Sequence, residues 1–257
     1  MNTITDGAAP RRPGRTGAMK GHHEEMFSET ERKLREDICR IAKMMYAREF
    51  IGGPAGNISA RLDEDRFLLT PSVPFKQLLT PEQLIIIDSD GRKVGPHTDA
   101  NRDLTPTSEV PMHLAAYHAR SDVGGVLHGH LSYCVALTAA GKTIRPQVLT
   151  EAMLFLGDIG VADYATPTTQ QLGDNVAKVV VDHDCVILPY HGVIVAGVDV
   201  WAAAAKMEVL EQAAQINCLV NQMGGEKPLA RERIAGMLAL REKMGMNLPS
   251  DVNLLED

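Results

Sequence analysis

Apolar positions change their period several times along the chain, and each change marks an element. Leu34, Ile38, Ile41 and Met45 recur at steps of three and four, the spacing that lines up side chains on one face of a helix. Ser28 precedes this run with Glu31 three residues on, the arrangement of a capping box, so SETERKLREDICRIAKMMYAREF is predicted helical. The glycine-rich GGPAGNIS stops it. ISARL, RFLLT and LIIID then read as short strands, and DSDG turns the chain into RKV. A second helix is expected from Thr107 or Ser108 to about Arg120, with Pro111 tolerated in its first turn.

GGVLHGH reads as a strand, and LSYCVALTAA as the helix after it. TTQQLGDNVAKVVVDHD is a further helix, with Thr168 or Thr169 as its N-cap. CVILPYH and GVIVAG look like two buried strands. A long helix is expected from about Asp199 to Gln222 and a shorter one over ARERIAGMLALREKM. Strands in hairpin-like succession with helices between them predict an α/β fold whose sheet is mixed and largely antiparallel, covered by helices. No repeat or linker divides it. The opening MNTITDGAAPRRPGRTGAMKGHHEE mixes Pro, Gly and Arg without apolar period, so residues 1–26 are expected to form a flexible tail, with His22 and His23 solvated in it, and residues 27–257 one domain.

Composition narrows the class. The 257 residues are 44% hydrophobic and 23% charged, ordinary for a globular domain with a sizeable core. The net charge of -7, with no basic stripe, argues against nucleic acid as a partner. The longest apolar runs fall short of a membrane span. Cys39, Cys134, Cys185 and Cys218 show no CxxC pairing, which fits a reduced, cytoplasmic setting. Two motifs are imitations. AAGKT lacks the earlier glycine and the preceding strand of a phosphate-binding loop, and DSDG has Lys93 where a calcium loop needs glycine.

Chemistry enters with HGH. His128 and His130 are two residues apart, so on a strand their imidazoles share a face. His191 sits at the junction of two apolar segments. Three neutral imidazoles suit a borderline divalent ion and leave a coordination position open, although each histidine taken alone also reads as a hydrogen-bonded core residue. Glu109 falls in the first turn of the predicted second helix, where a carboxylate complements the dipole; facing a metal, it becomes a general base or a further ligand. His113 and His118 on that helix read as packing or surface residues.

The ordered set GNIS, TPS, PTSEVPMH, HGHLSYC, YATPTT and YHGVIVAG resembles the class II aldolase/adducin superfamily, near its fuculose-phosphate and ribulose-phosphate branch, over residues 30–222. The resemblance implies a single three-layer α/β/α domain, assembled as a homotetramer with sites between subunits. It implies one divalent ion per subunit held by His128, His130 and His191, zinc first, with manganese, iron, cobalt or magnesium as alternatives. Glu109 would be the acid/base residue, and Tyr164 would reach into a neighbouring subunit's site to protonate an aldehyde oxygen. Gly56, Asn57, Ser59, Ser72, Thr107 and Ser108 match positions that hold a small substrate's anionic end.

The activity so implied is a metal-dependent lyase, an aldolase that cleaves a carbon–carbon bond of a hydroxy-ketone, such as a sugar phosphate, through a metal-stabilised enediolate. The alternatives are a metal-dependent decarboxylase of a hydroxylated aromatic or sugar-acid carboxylate, a sugar-phosphate 4-epimerase, and, from a different class, a metal-free adducin-like binding module. Three departures bear on the substrate end. TPSVPF lacks the glycine of the family's TPSG, TPTT replaces TFGT or TPGT, and Tyr190 stands where many relatives carry a small polar residue. Losing a glycine that lets backbone approach an anion is expected to alter phosphate recognition.

Overall fold

The computed structural model describes residues 27–225, 227, 229–246 and 248–255; the expected tail over residues 1–26, with His22 and His23, lies outside them. The first helix, α1 (Glu29–Ala47), begins where Ser28 accepts a hydrogen bond from the Glu31 amide at 3.1 Å. Only half of the expected capping box forms, because the Glu31 carboxylate turns instead to buried Arg35, at 2.8 Å. The strands β1 (Asn57–Arg61), β2 (Arg66–Leu69), β3 (Ile85–Asp88) and β4 (Lys93–Val94) form an antiparallel meander. The turn into β4 is held by Asp88, whose side chain accepts from the amides of Asp90 and Arg92.

The helix α2 (Val110–Ala119) leads into β5 (Gly125–Gly129), then α3 (Ser132–Ala139) and α4 (Thr150–Phe155). After β6 (Ile159–Val161) comes α5 (Gln170–Val180), whose N-cap is Thr169 and not Thr168. The hairpin β7 (Cys185–Leu188) and β8 (Gly192–Gly197) then precedes α6 (Val200–Gln222), capped by Asp199, and α7 (Arg231–Lys243). Among the described residues, eight strands form one sheet in the order β4-β3-β2-β1-β5-β8-β7-β6. Only β6 and β7 pair in parallel, so the sheet is mixed and largely antiparallel, as the strand succession predicts.

Strand alternation divides the core into two layers. Ile58, Ala60, Leu127, Val193 and Val195 face α1 and α6 on one side. Val126, Ile194 and Ala196 face α2 and α5 on the other, with Met112, Tyr117 and Val176. These strands are buried on both faces, which is why they read as continuous apolar runs. Each fully buried Leu, Ile or Val contributes about 1.5–3 kcal/mol. A smaller cluster of Met153, Ile234 and Leu254 holds α7 to α4, beside buried Arg241, which donates to Asp251 at 2.9 Å. The result is a three-layer α/β/α domain, and no helix among the described residues is long and apolar enough to cross a membrane.

This layering positions the site. Asn57 pairs with His128 and Ser59 with Val126 across β1 and β5. Directly opposed residues share a face, so Asn57, Ser59 and His128 all point toward the α2 and α5 layer.

Candidate functional site

His128 is the penultimate residue of β5, and His130 lies one residue beyond the strand, where its amide donates to the Phe50 carbonyl at 2.8 Å. The two-residue spacing still brings the imidazoles together, their Nε2 atoms 3.2 Å apart. His191 arrives from the turn between β7 and β8, its amide donating to the Leu188 carbonyl at 3.0 Å. Pro189 and Tyr190 occupy the two central positions of that turn. Tyr190 takes a φ of 61°, a left-handed conformation that non-glycine residues adopt at a cost. Gly192, next along, lies so close to the Gly129 carbonyl that a Cβ there would meet the oxygen at 2.3 Å.

Glu109 is not inside the first turn of α2. It is the N-cap residue, one position ahead of the helix, and its side chain caps nothing. One carboxylate oxygen accepts from the Thr168 amide at 3.2 Å. Thr168 occupies the position of the glycine in the family's TPGT and takes its φ of 70° without one. The other oxygen, Oε2, lies 3.6 Å from His128 Nε2 and 3.8 Å from His191 Nε2. It is buried with no hydrogen-bond partner among the described residues, as is His191 Nδ1.

This donor set fits a divalent ion. One nitrogen from each of the three histidines lies within 4.8 Å of the others. Two ligands of a tetrahedral ion with bonds of about 2.0–2.1 Å stand roughly 3.3 Å apart, close to the His128–His130 separation. Nδ1 of His128 donates to the Val193 carbonyl at 2.8 Å, which leaves the Nε2 lone pair free, the usual way that a ligating histidine is oriented. Burial pushes all three histidines below the ordinary imidazole range, His191 to about 4, so at neutral pH they are unprotonated. Burial also raises the Glu109 carboxyl, against the opposing Thr168 hydrogen bond.

The cluster lines a cavity of roughly 550 Å³. Gly56, Asn57, Ser72, Thr107 and Ser108 line it together with the three histidines and Glu109. Gly56 must be glycine: its φ is 76°, and a Cβ would lie 2.1 Å from Ile51 Cγ2. Two of the expected residues are placed elsewhere. Ser59 is buried beneath α2, and Tyr164 is 62% exposed, its ring edge-on to Tyr190 at 6.3 Å.

Ser59 belongs to a buried relay that the sequence does not announce. Asn57 Oδ1 accepts from His113 Nε2, so His113 Nδ1 accepts the Ser59 hydroxyl at 2.6 Å. The Tyr117 hydroxyl in turn donates to Ser59 at 2.8 Å. Burial drives His113 down to about 3 and keeps it neutral. With Oδ1 engaged, the amide NH₂ of Asn57 is the group left for the cavity. His113 follows Glu109 by four residues, a helical spacing that signals one shared face. Lys76 also lines the cavity, and nothing in its surroundings in sequence marks it.

The family model of the class II aldolase and adducin N-terminal domain matches residues 36–218. An L-fuculose phosphate aldolase of Methanococcus maripaludis is 32% identical over 187 residues, which is 73% of this chain and 97% of that protein. A 3-oxo-tetronate 4-phosphate decarboxylase of Cupriavidus necator is 32% identical over 191 residues, 73% of this chain and 84% of that protein. Among solved structures, an L-fuculose 1-phosphate aldolase superposes with a TM-score of 0.74 at 25% identity, covering 86% of this chain and 98% of its own.

Proposed function

Since the chain belongs to the class II aldolase and adducin N-terminal domain family, we propose that it is a divalent-metal-dependent carbon–carbon lyase, an aldolase acting on a small hydroxy-ketone with an anionic end. The observation that carries this reading is the cluster of three unprotonated imidazoles in the cavity wall, two of which, His128 and His191, lie within 4.0 Å of the buried Oε2 of Glu109. His128, His130 and His191 would hold the ion, zinc first. Bound there, it supplies Lewis-acid stabilisation, worth several kcal/mol, to negative charge growing on a substrate carbonyl oxygen.

The chain's own residues account for the proton movements. In the cleavage direction, the hydroxyl on the carbon that becomes the aldehyde would pass its proton to solvent through the Tyr164 hydroxyl of a neighbouring subunit. The electron pair of the breaking bond moves toward the ketone, and the carbon left behind takes a proton from Glu109. Burial raises the pKa of this carboxyl, the direction that favours its carrying a proton. Gly56, Asn57, Ser72, Thr107 and Ser108 would hold the anionic end, with Ser59 supporting Asn57 from behind through His113. Tyr164, exposed on its own chain, would serve the site of a neighbouring subunit, which makes a homotetramer part of the proposal. Four free cysteines suit a reduced, cytoplasmic setting.

The likeness to proteins named 3-oxo-tetronate 4-phosphate decarboxylase supports a second reading. Loss of CO₂ also leaves an electron pair beside a carbonyl, and Glu109 would protonate the same carbon. A screen of the zinc-loaded protein separates the two. Ketose phosphates, free keto-sugars and hydroxy-aromatic or keto-sugar acids are offered while aldehyde and CO₂ are recorded together. Aldehyde without CO₂ is the expected result. CO₂ without aldehyde assigns the second reading, and neither product from any substrate refutes both.

A further inference from the structure

The cavity wall that holds the histidine cluster also holds a cation with no counter-charge among the described residues. Lys76 is only 4% exposed. Its ammonium donates to the Pro54 carbonyl at 2.5 Å and the Val73 carbonyl at 2.7 Å, and among the described residues no carboxylate lies within 4.0 Å of it. An ammonium carries three protons, so one remains uncommitted. Burying a charge is costly unless it is paired, and two neutral carbonyls offset only part of that cost. The residue nonetheless borders the same cavity as Asn57, Ser72 and the metal cluster.

We propose that the Lys76 ammonium is the counter-charge for the anionic end of the substrate, a phosphate monoester or a carboxylate. This rests on the reading of the cavity as a substrate site, but it names a residue outside the set that the family resemblance implies. Three observations converge on it. Among the described residues Glu109 is the one carboxylate that lines the cavity, and its Oε2 faces the histidines, so no described carboxylate neutralises the lysine. The neighbouring groups are uncharged donors: the Asn57 amide, turned outward by His113, and the hydroxyls of Ser72 and Ser108. The loop TPSVPFK lacks the glycine through which backbone amides would approach an anion, and a lysine four residues past Ser72 restores positive potential to the same wall. Burial lowers the Lys76 pKa, the direction expected of a cation that lacks its partner.

The bland alternative is a structural staple: Lys76 ties the loop at Pro54 to the loop at Val73 and meets no ligand. Nuclear magnetic resonance of the zinc-loaded protein, carrying labelled lysine, separates the two. The Lys76 side-chain signal is assigned by its absence in Lys76→Arg and followed while inorganic phosphate and, separately, malonate are added. A saturable shift of that signal is expected with at least one of them. Phosphate alone marks a phosphate end, malonate alone a carboxylate end, and both an anion site of broad tolerance. Calorimetry on folded Lys76→Met is expected to show binding weaker by about tenfold or more, the loss typical of a charge-assisted hydrogen bond. A wild-type Lys76 signal that neither anion moves overturns the proposal, as does a folded Lys76→Met that binds both as tightly as wild type. If Lys76→Met does not fold, the wild-type titration decides alone. Because these readouts are independent of turnover, an anion-responsive Lys76 in a protein that releases neither aldehyde nor CO₂ keeps this inference and sinks the lyase reading; an active lyase with an unresponsive Lys76 does the reverse.

Discussion

Two histidines, His113 on α2 and His128 on β5, occupy the same layer between sheet and helices, and each is 1% exposed. Burial pushes both below the ordinary imidazole range. They differ in how their nitrogens are used. His113 spends both: Nε2 on Asn57 and Nδ1 on Ser59. His128 spends Nδ1 on the Val193 carbonyl, and its Nε2 faces His130 and Glu109. What separates a candidate ligand from a structural histidine is therefore a nitrogen aimed at other potential metal donors, and not depth in the core.

The sharpest way to break this comparison is His128→Ala. It should abolish metal retention and lower turnover by about a thousandfold or more, the scale of several kcal/mol of transition-state stabilisation; metal analysis of the purified protein beside an activity assay checks it. His113→Ala should leave the metal content unchanged. Metal loss there would erase the distinction between the two histidines. Next in size, Glu109→Gln is expected to keep the ion and reduce turnover by about 10²- to 10⁴-fold. A loss of metal in that variant would make Glu109 chiefly a ligand.

On the structural side the effects are smaller. His113→Ala leaves Asn57 Oδ1 and the Ser59 hydroxyl without their partner and should cost about 1–3 kcal/mol of stability, read by denaturant unfolding. The same residue sets a pH dependence. Its folded-state pKa of about 3 lies below the unfolded value near 6.5, so the folded state binds fewer protons in between. Its contribution is intact above pH 6.5 and is lost as the pH falls toward 3, by at most about 1.4 kcal/mol per pH unit. His113→Leu should flatten that part of the stability profile. Ser59→Ala, which removes one neutral donor from the relay, should cost about 1 kcal/mol and weaken anion binding through Asn57 while leaving metal content alone.

How much of this was legible beforehand follows the range of the interaction. The strand alternation of ISARL and RFLLT, the helical spacing of Leu34, Ile38 and Ile41, and the caps Ser28, Thr169 and Asp199 are local, and each appears within a residue or two of the expected place. HGH is local too, since a two-residue step on extended chain sets both imidazoles side by side even though His130 lies past the strand end. Glu109 was legible as a residue of interest, but not its position ahead of the helix or its tether to a left-handed Thr168. Ser59 shows the limit most clearly. GNIS puts Asn57 and Ser59 on the same strand face, and only their distance from the strand end separates a cavity residue from a buried one.

The sequence by itself determined the periods, and with them the layers of helix and sheet, because side-chain periodicity is a property of each segment alone. It also determined which residues have the chemistry to hold an ion. The tertiary structure alone decided which of those groups are uncommitted. The β1–β5 register brings Asn57 beside His128, α2 lays His113 and Tyr117 over Ser59, and two loops close on Lys76. The pairs Asn57–His128, Ser59–Tyr117 and Lys76–Pro54 lie 22 to 71 positions apart, and no local pattern encodes them, because hydrogen bonds across a core depend on where distant segments pack.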